Sequence, residues 1–152
     1  MGLKETVSAD IKAAMKARDK LRLETVRSIK KAILEKEVSI RPSGRDCLSE
    51  LEELELLSQL AKQRRDSIAQ YRSANRIDLA ERETRELDIL ETYLPPALSE
   101  SELEHEVDAI IADLGAASLK DMGSVMQTVM KKFKGQVDGS AVQQLVKAKL
   151  AK

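Results

Sequence analysis

Apolar side chains recur along this chain at intervals of three and four, and no stretch alternates with the period of two that a half-buried strand requires. The pattern predicts an all-α fold. Leu3, Val7, Ile11, Ala14 and Met15 form a first stripe; Leu23, Val26, Ile29 and Ile33 form a second, after Asp19 as N-cap, with a break near residue 18. Arg41-Pro42-Ser43-Gly44 reads as a loop, and Ser49 with Glu52 forms a capping box that opens a third helix running to about Ala74. Asn75 suits the turn after it. A fourth helix is expected from about Arg76 to Tyr93, laced by Asp78–Arg82, Arg82–Glu86 and Glu81–Arg85 pairs one turn apart.

Proline removes a backbone donor and restricts the residue before it, so Leu94-Pro95-Pro96-Ala97-Leu98 ends the fourth helix and reads as a linker. It divides the chain into an N-terminal four-helix bundle, residues 1–94, and a C-terminal three-helix bundle, residues 95–152. Ser99 and Glu102 box the start of a fifth helix with Leu103, Val107, Ile110, Ile111 and Leu114 inward and Gly115 as its stop. Ser118 and Asp138 cap two more. Met122, Val125, Met126, Val129, Met130 and Phe133 share a face of the sixth, and Val142, Leu145, Val146 and Leu150 a face of the seventh. The methionines are expected in the core, and Gly123 is expected where a neighbouring helix approaches closely.

Composition narrows the chemistry. One Phe, two Tyr and no Trp leave little for base or sugar stacking. Twenty-six basic residues cancel twenty-six acidic ones, so no global field steers the chain, and any basic site is local. The single cysteine, Cys47, forms neither an internal disulfide nor a thiolate cluster, which fits a reducing, cytoplasmic setting. The first residues lack the apolar run of a signal peptide, and no stretch approaches transmembrane length, so no membrane partner is expected. Gly2 and Thr6 match a myristoylation pattern, but Leu3, Val7 and Ile11 already read as the first turns of a helix.

Catalysis finds no constellation. The lone histidine, His105, lies between Glu104 and Glu106 on a polar helix face, so no catalytic triad is expected, and no strand leads into a Gly-rich phosphate loop. No catalytic residue, metal site, cofactor or small-molecule substrate is expected. Arg64 interrupts the apolar seam Leu54, Leu57, Ala61, Ile68, Tyr71, and Glu83 interrupts Ala80, Leu87, Leu90, Leu94, which predicts an interhelical ion pair from Arg64 to Glu83 or Glu86 that fixes register. Two basic regions stand out. Residues 10–31 carry eight basic residues against three acidic ones, and Lys131, Lys132 and Lys134 crowd the end of the sixth helix, with Lys147 and Lys149 on the seventh.

Lys62-Gln63-Arg64-Arg65-Asp66-Ser67-Ile68, Glu91-Thr92-Tyr93-Leu94-Pro95, Leu98-Ser99-Glu100, Gly115-Ala116, Lys120-Asp121-Met122-Gly123, Val125-Met126 and Lys134-Gly135 through Asp138-Gly139 follow the order and spacing of the YqeY family. The resemblance covers essentially the whole chain. It departs from the family at Pro96 and Gln136, where a basic residue is frequent. The family is similar to the C-terminal helical tail of the GatB subunit of the tRNA-dependent amidotransferase, and its fold is a four-helix bundle followed by a three-helix one.

In that enzyme the tail helps hold tRNA while other domains do the chemistry. The resemblance therefore implies a noncatalytic protein that docks on tRNA or on a tRNA-handling protein, reading phosphates and shape. The residues expected to contact RNA are Lys120, Lys131, Lys132, Lys134 and Lys147, with Lys62 and Arg65 as a second group. The alternative is a protein-interaction adaptor whose methionine-bearing C-terminal bundle takes a partner helix. The label of carbon–nitrogen ligase with glutamine as amido-N-donor attaches to such proteins by inheritance only.

Overall fold

The structure, a computed structural model, describes residues 2–151. Among these it holds seven α-helices and two single-turn 3-10 helices, and no strand. The helices are α1 (Leu3–Ala17), α2 (Lys20–Ile40), α3 (Glu50–Ser73), α4 (Ile77–Glu91), α5 (Glu100–Leu114), α6 (Met122–Lys132) and α7 (Gly139–Leu150). Contacts divide the chain into two compact units, Met1–Leu94 and Pro95–Lys152.

Local chemistry sets the helix ends in the first unit. Arg18 adopts the left-handed conformation, φ 55°, and the Asp19 N–H donates to the Ala14 carbonyl at 3.1 Å, so α1 closes without a glycine. Asp19 then caps α2, its carboxylate accepting from the Arg22 N–H at 3.1 Å. The Ser49–Glu52 capping box forms reciprocally at the start of α3. Asn75, φ 59°, makes the turn into α4, and the Arg76 N–H returns to the Tyr71 carbonyl at 2.8 Å. The core gathers Val7 of α1, Val26, Ile29 and Ile33 of α2, Leu57 and Ala61 of α3 and Leu87 and Leu90 of α4. Each large aliphatic side chain buried there contributes roughly 1.5–3 kcal/mol against exposure.

Met15 departs from the expected stripe: it is 53% exposed, because α1 turns only Val7 and Ala14 fully inward. The ion pairs expected along α4 are also redistributed. Asp78 pairs with Arg76, at 3.2 Å, and Arg82 reaches both Glu86, at 3.5 Å, and Glu24 of α2, at 2.7 Å. Partners two residues away or on another helix compete for the same guanidinium as the i+4 neighbour.

In the second unit the Ser99–Glu102 box opens α5 and Gly115, φ 64°, closes it. Its core is Leu103, Val107 and Ile110 of α5, Val125 and Val129 of α6, and Val142, Val146 and Leu150 of α7. Met122, Met126, Met130 and Phe133 pack against that core, half-buried. Three expectations fail here. Leu114 is 49% exposed, since the helix ends before its side chain meets a neighbour. Ser118 opens the 3-10 turn Leu119–Asp121, and α6 starts after it with Asp121 in the N-cap position. A Cβ built on Gly123 meets nothing within 4 Å, so no helix approaches it.

Candidate functional site

Candidate contacts to an anion begin with the cations, and their partners decide which are available. In the second unit Lys132 at the end of α6 extends to Glu106 of α5 at 3.4 Å and lies over the Phe133 ring, 5.2 Å from its centroid. Lys149 of α7 bridges to Asp108 at 2.8 Å and Glu104 at 3.1 Å. The hydrogen bonds that the ammonium donates, to Asp108 first and Glu104 second, hold it above the ordinary lysine range. These two lysines tie α5 to α6 and to α7. Lys134 is half-buried and engaged.

Lys120, Lys131 and Lys147 are exposed, and their side chains make no hydrogen bond or ion pair. Lys120 sits on the Leu119–Asp121 turn, which packs against both α6 and α7, and α6 and α7 pack on one another, so the three stand on mutually contacting elements. The turn is braced by Asp121, whose carboxylate accepts from the Ala117 N–H at 2.9 Å and the Ser118 N–H at 3.2 Å. Those two donors, Ala117 before Ser118, push its carboxyl below the usual range. The start of α7 is occupied as expected: the Asp138 carboxylate accepts from the Ser140 N–H at 3.4 Å.

Of the second group in the first unit, Lys62 is exposed on α3 without a partner, whereas Arg65 pairs with Glu91 of α4 at 3.2 Å. The six lysines and one arginine expected to contact RNA therefore divide into four without a side-chain partner, Lys132 and Arg65, which tie helices together, and Lys134, which is engaged. Arg64 forms the expected register pair with both acids: its guanidinium donates to Glu83 at 3.1 Å and to Glu86, and its other arm reaches the Ser28 hydroxyl at 3.3 Å.

A second cationic set emerges on α1 and α2. Lys12, Lys16, Arg18, Lys20 and Arg27 are exposed, Lys30 is half-buried, and none of these side chains has a hydrogen bond or ion pair. The charge count over residues 10–31 signalled this region; that these six lack side-chain partners while Arg22 pairs with Asp19 and Lys31 with Glu35 emerges only in three dimensions. The structure also adds one buried charge that the apolar pattern does not predict: Glu37, 5% exposed, is met by Lys4 of α1 at 3.0 Å.

Pro96 and Gln136, the two departures from the family pattern, touch. The Gln136 side-chain amide donates to the Pro96 carbonyl at 3.2 Å, and the Leu98 N–H donates to the Gln136 carbonyl at 3.0 Å, which anchors the segment leading into α5. His105 and Cys47 are both exposed, and among the described residues no three His, Cys, Asp or Glu side chains gather to hold a metal ion. No helix is long and apolar enough to cross a membrane among the described residues.

These features define an all-helical protein of two units whose surface chemistry is ionic. The chain belongs to the Yqey-like protein family, whose model matches residues 4–150. It is similar to proteins named "Altered inheritance of mitochondria protein 41, mitochondrial" in several fungi. That of Lachancea thermotolerans is 39% identical over 107 residues, covering 69% of this chain and 56% of the relative. That of Vanderwaltozyma polyspora is 34% identical, covering 88% and 73%, and that of Pyrenophora tritici-repentis 32% identical, covering 94% and 80%. The match thus spans little over half the length of the Lachancea protein.

Family and relatives are those of a helical protein to which no reaction is assigned by name. They correct one expectation. The relatives are named mitochondrial, which overturns the cytoplasmic location expected above. A single thiol reports a reducing environment and does not tell one aqueous compartment from another.

Proposed function

We propose that this chain is a noncatalytic, tRNA-associated helical protein, a four-helix bundle joined to a three-helix one, whose second unit docks on the phosphates of a tRNA. The observation that carries the reading is the trio Lys120, Lys131 and Lys147, exposed, unpaired and borne on elements that pack together. Lysines already held by Glu104, Asp108 or Glu106 must break an ion pair before they meet a phosphate; these three need not. Lys62 offers a further unpaired cation on α3.

With so few aromatic side chains, affinity rests on counterion release and depends steeply on salt. The test is titration with total tRNA by fluorescence anisotropy across a salt series. The triple change K120A/K131A/K147A is expected to flatten the log–log salt slope by about 2–3, roughly one per lost contact. A K132A/K149A control breaks ion pairs instead and should change the slope little. Absence of binding at low salt, or a slope that the triple change leaves alone, refutes the reading.

The adaptor reading has less support. Met122, Met126 and Met130, which would line a groove for a partner helix, lie packed against the unit's own core.

A further inference from the structure

The outward line of α2 combines two kinds of side chain rarely left side by side in water. Lys20, Glu24, Arg27, Lys31, Leu34 and Val38 follow one another at spacings of four and three, which places them along one side of the helix over roughly 27 Å. All six are exposed. The opposite side carries Val26, Ile29 and Ile33 into the core. The line is cationic over its first half and apolar over its second, with Leu34 41% and Val38 55% exposed.

The flanking helix continues both themes. Lys12, Lys16 and the exposed Met15 lie on α1, which packs along α2, and Arg18 and Lys20 stand where the two helices join. The two carboxylates on the outer side of α2 are spoken for, Glu24 by Arg82 at 2.7 Å and Glu35 by Lys31 at 3.9 Å.

From this juxtaposition we propose that the α1–α2 face binds a negatively charged lipid surface, with Lys12, Lys16, Lys20 and Arg27 against the headgroups and Leu34 and Val38 entering the interface. Clustered cations supply attraction to an anionic leaflet, and exposed aliphatic side chains add the apolar burial that turns attraction into adsorption. A nucleic acid would use the cations but leave Met15, Leu34 and Val38 without a function. The first Gln in the chain is Gln59 and the first Asn is Asn75, so this face also lacks the amide side chains that read base edges. The neutral total charge averages this face with acidic regions elsewhere, and adsorption to a leaflet needs no segment of transmembrane length.

The experiment is sedimentation of the full chain with vesicles of phosphatidylcholine containing one-third phosphatidylglycerol, and with vesicles of phosphatidylcholine alone. Binding is expected only to the first, and to weaken with salt. Removing two of the proposed headgroup contacts at about fivefold each, K20E/R27E should lower the partition coefficient at least about 25-fold. L34S/V38S should lower it severalfold and leave tRNA affinity unchanged. All four positions are exposed, and circular dichroism of each variant verifies the fold. Equal behaviour on both vesicle types overturns the proposal. So does a charge reversal that abolishes tRNA binding while sparing vesicles, or vesicle binding indifferent to L34S/V38S.

Discussion

The Tyr93 hydroxyl donates a hydrogen bond to the Asp10 carboxylate, joining the turn that closes α4 to α1, 83 positions earlier. The phenol sits half-buried between helices, and burial first, then the hydrogen bond to Asp10 and its charge, hold its pKa above the ordinary tyrosine value. Y93F keeps the ring and removes the donor, leaving a carboxylate without its partner. A loss of about 1 kcal/mol is expected from urea unfolding of the full chain, since hydrogen bonds to charged groups are worth somewhat more when fully buried. Y93F/D10A should recover part of that loss in a double-mutant cycle.

Arg64 is one guanidinium serving two acids on α4. In R64A, Glu83 loses its partner and Glu86 keeps only Arg82, at 3.5 Å, so a cost of about 2–4 kcal/mol is expected. R64K retains charge but loses the fork and should fall between. R64L/E83Q/E86L removes all three charges, and because desolvation offsets much of the attraction, its stability is expected within about 1 kcal/mol of the parent. A triple variant as unstable as R64A contradicts the register role.

Glu53 near the start of α3 is pushed above the usual carboxylate range by burial first, then by Glu50 and Glu5, with a hydrogen bond from the Leu3 backbone opposing. A carboxyl whose folded pKa is raised favours folding in its protonated form, so its contribution is fully present below the unfolded value, 4.5, and is lost as pH rises through the folded value. E53Q mimics the protonated form and should raise Tm at pH 7. That gain should disappear below pH 4.5. A gain that is constant with pH would assign the effect to something other than charge.

Gly123 lies in the first turn of α6 with open space where a side chain would stand. Its φ is not in the left-handed region, so alanine is free of strain there. G123A is expected to stabilise the chain by about 0.5–1 kcal/mol in denaturant unfolding, through helix propensity and a less flexible unfolded state. A destabilisation would mean that a helix or ligand comes closer to this position than the structure places it.

Helix ends were legible from the chain alone because capping acts over three or four residues: Asp19, the Ser49–Glu52 and Ser99–Glu102 boxes, Asn75, Gly115 and Asp138 all occupy the ends their chemistry dictates. The Arg64 pair was legible too, since a charge in an apolar seam at heptad spacing demands a partner on the facing helix. Which cations remain available was not. Lys149 and Glu104 are 45 residues apart, Arg65 and Glu91 26, Arg82 and Glu24 58, and no local pattern encodes such meetings. Sequence by itself determined the helices and their inward faces, because propensity, capping and periodicity are properties of neighbours. Only tertiary structure decided which charges brace the fold and which stay open to a ligand, because a long flexible cation takes whichever carboxylate the packing of helices brings within reach.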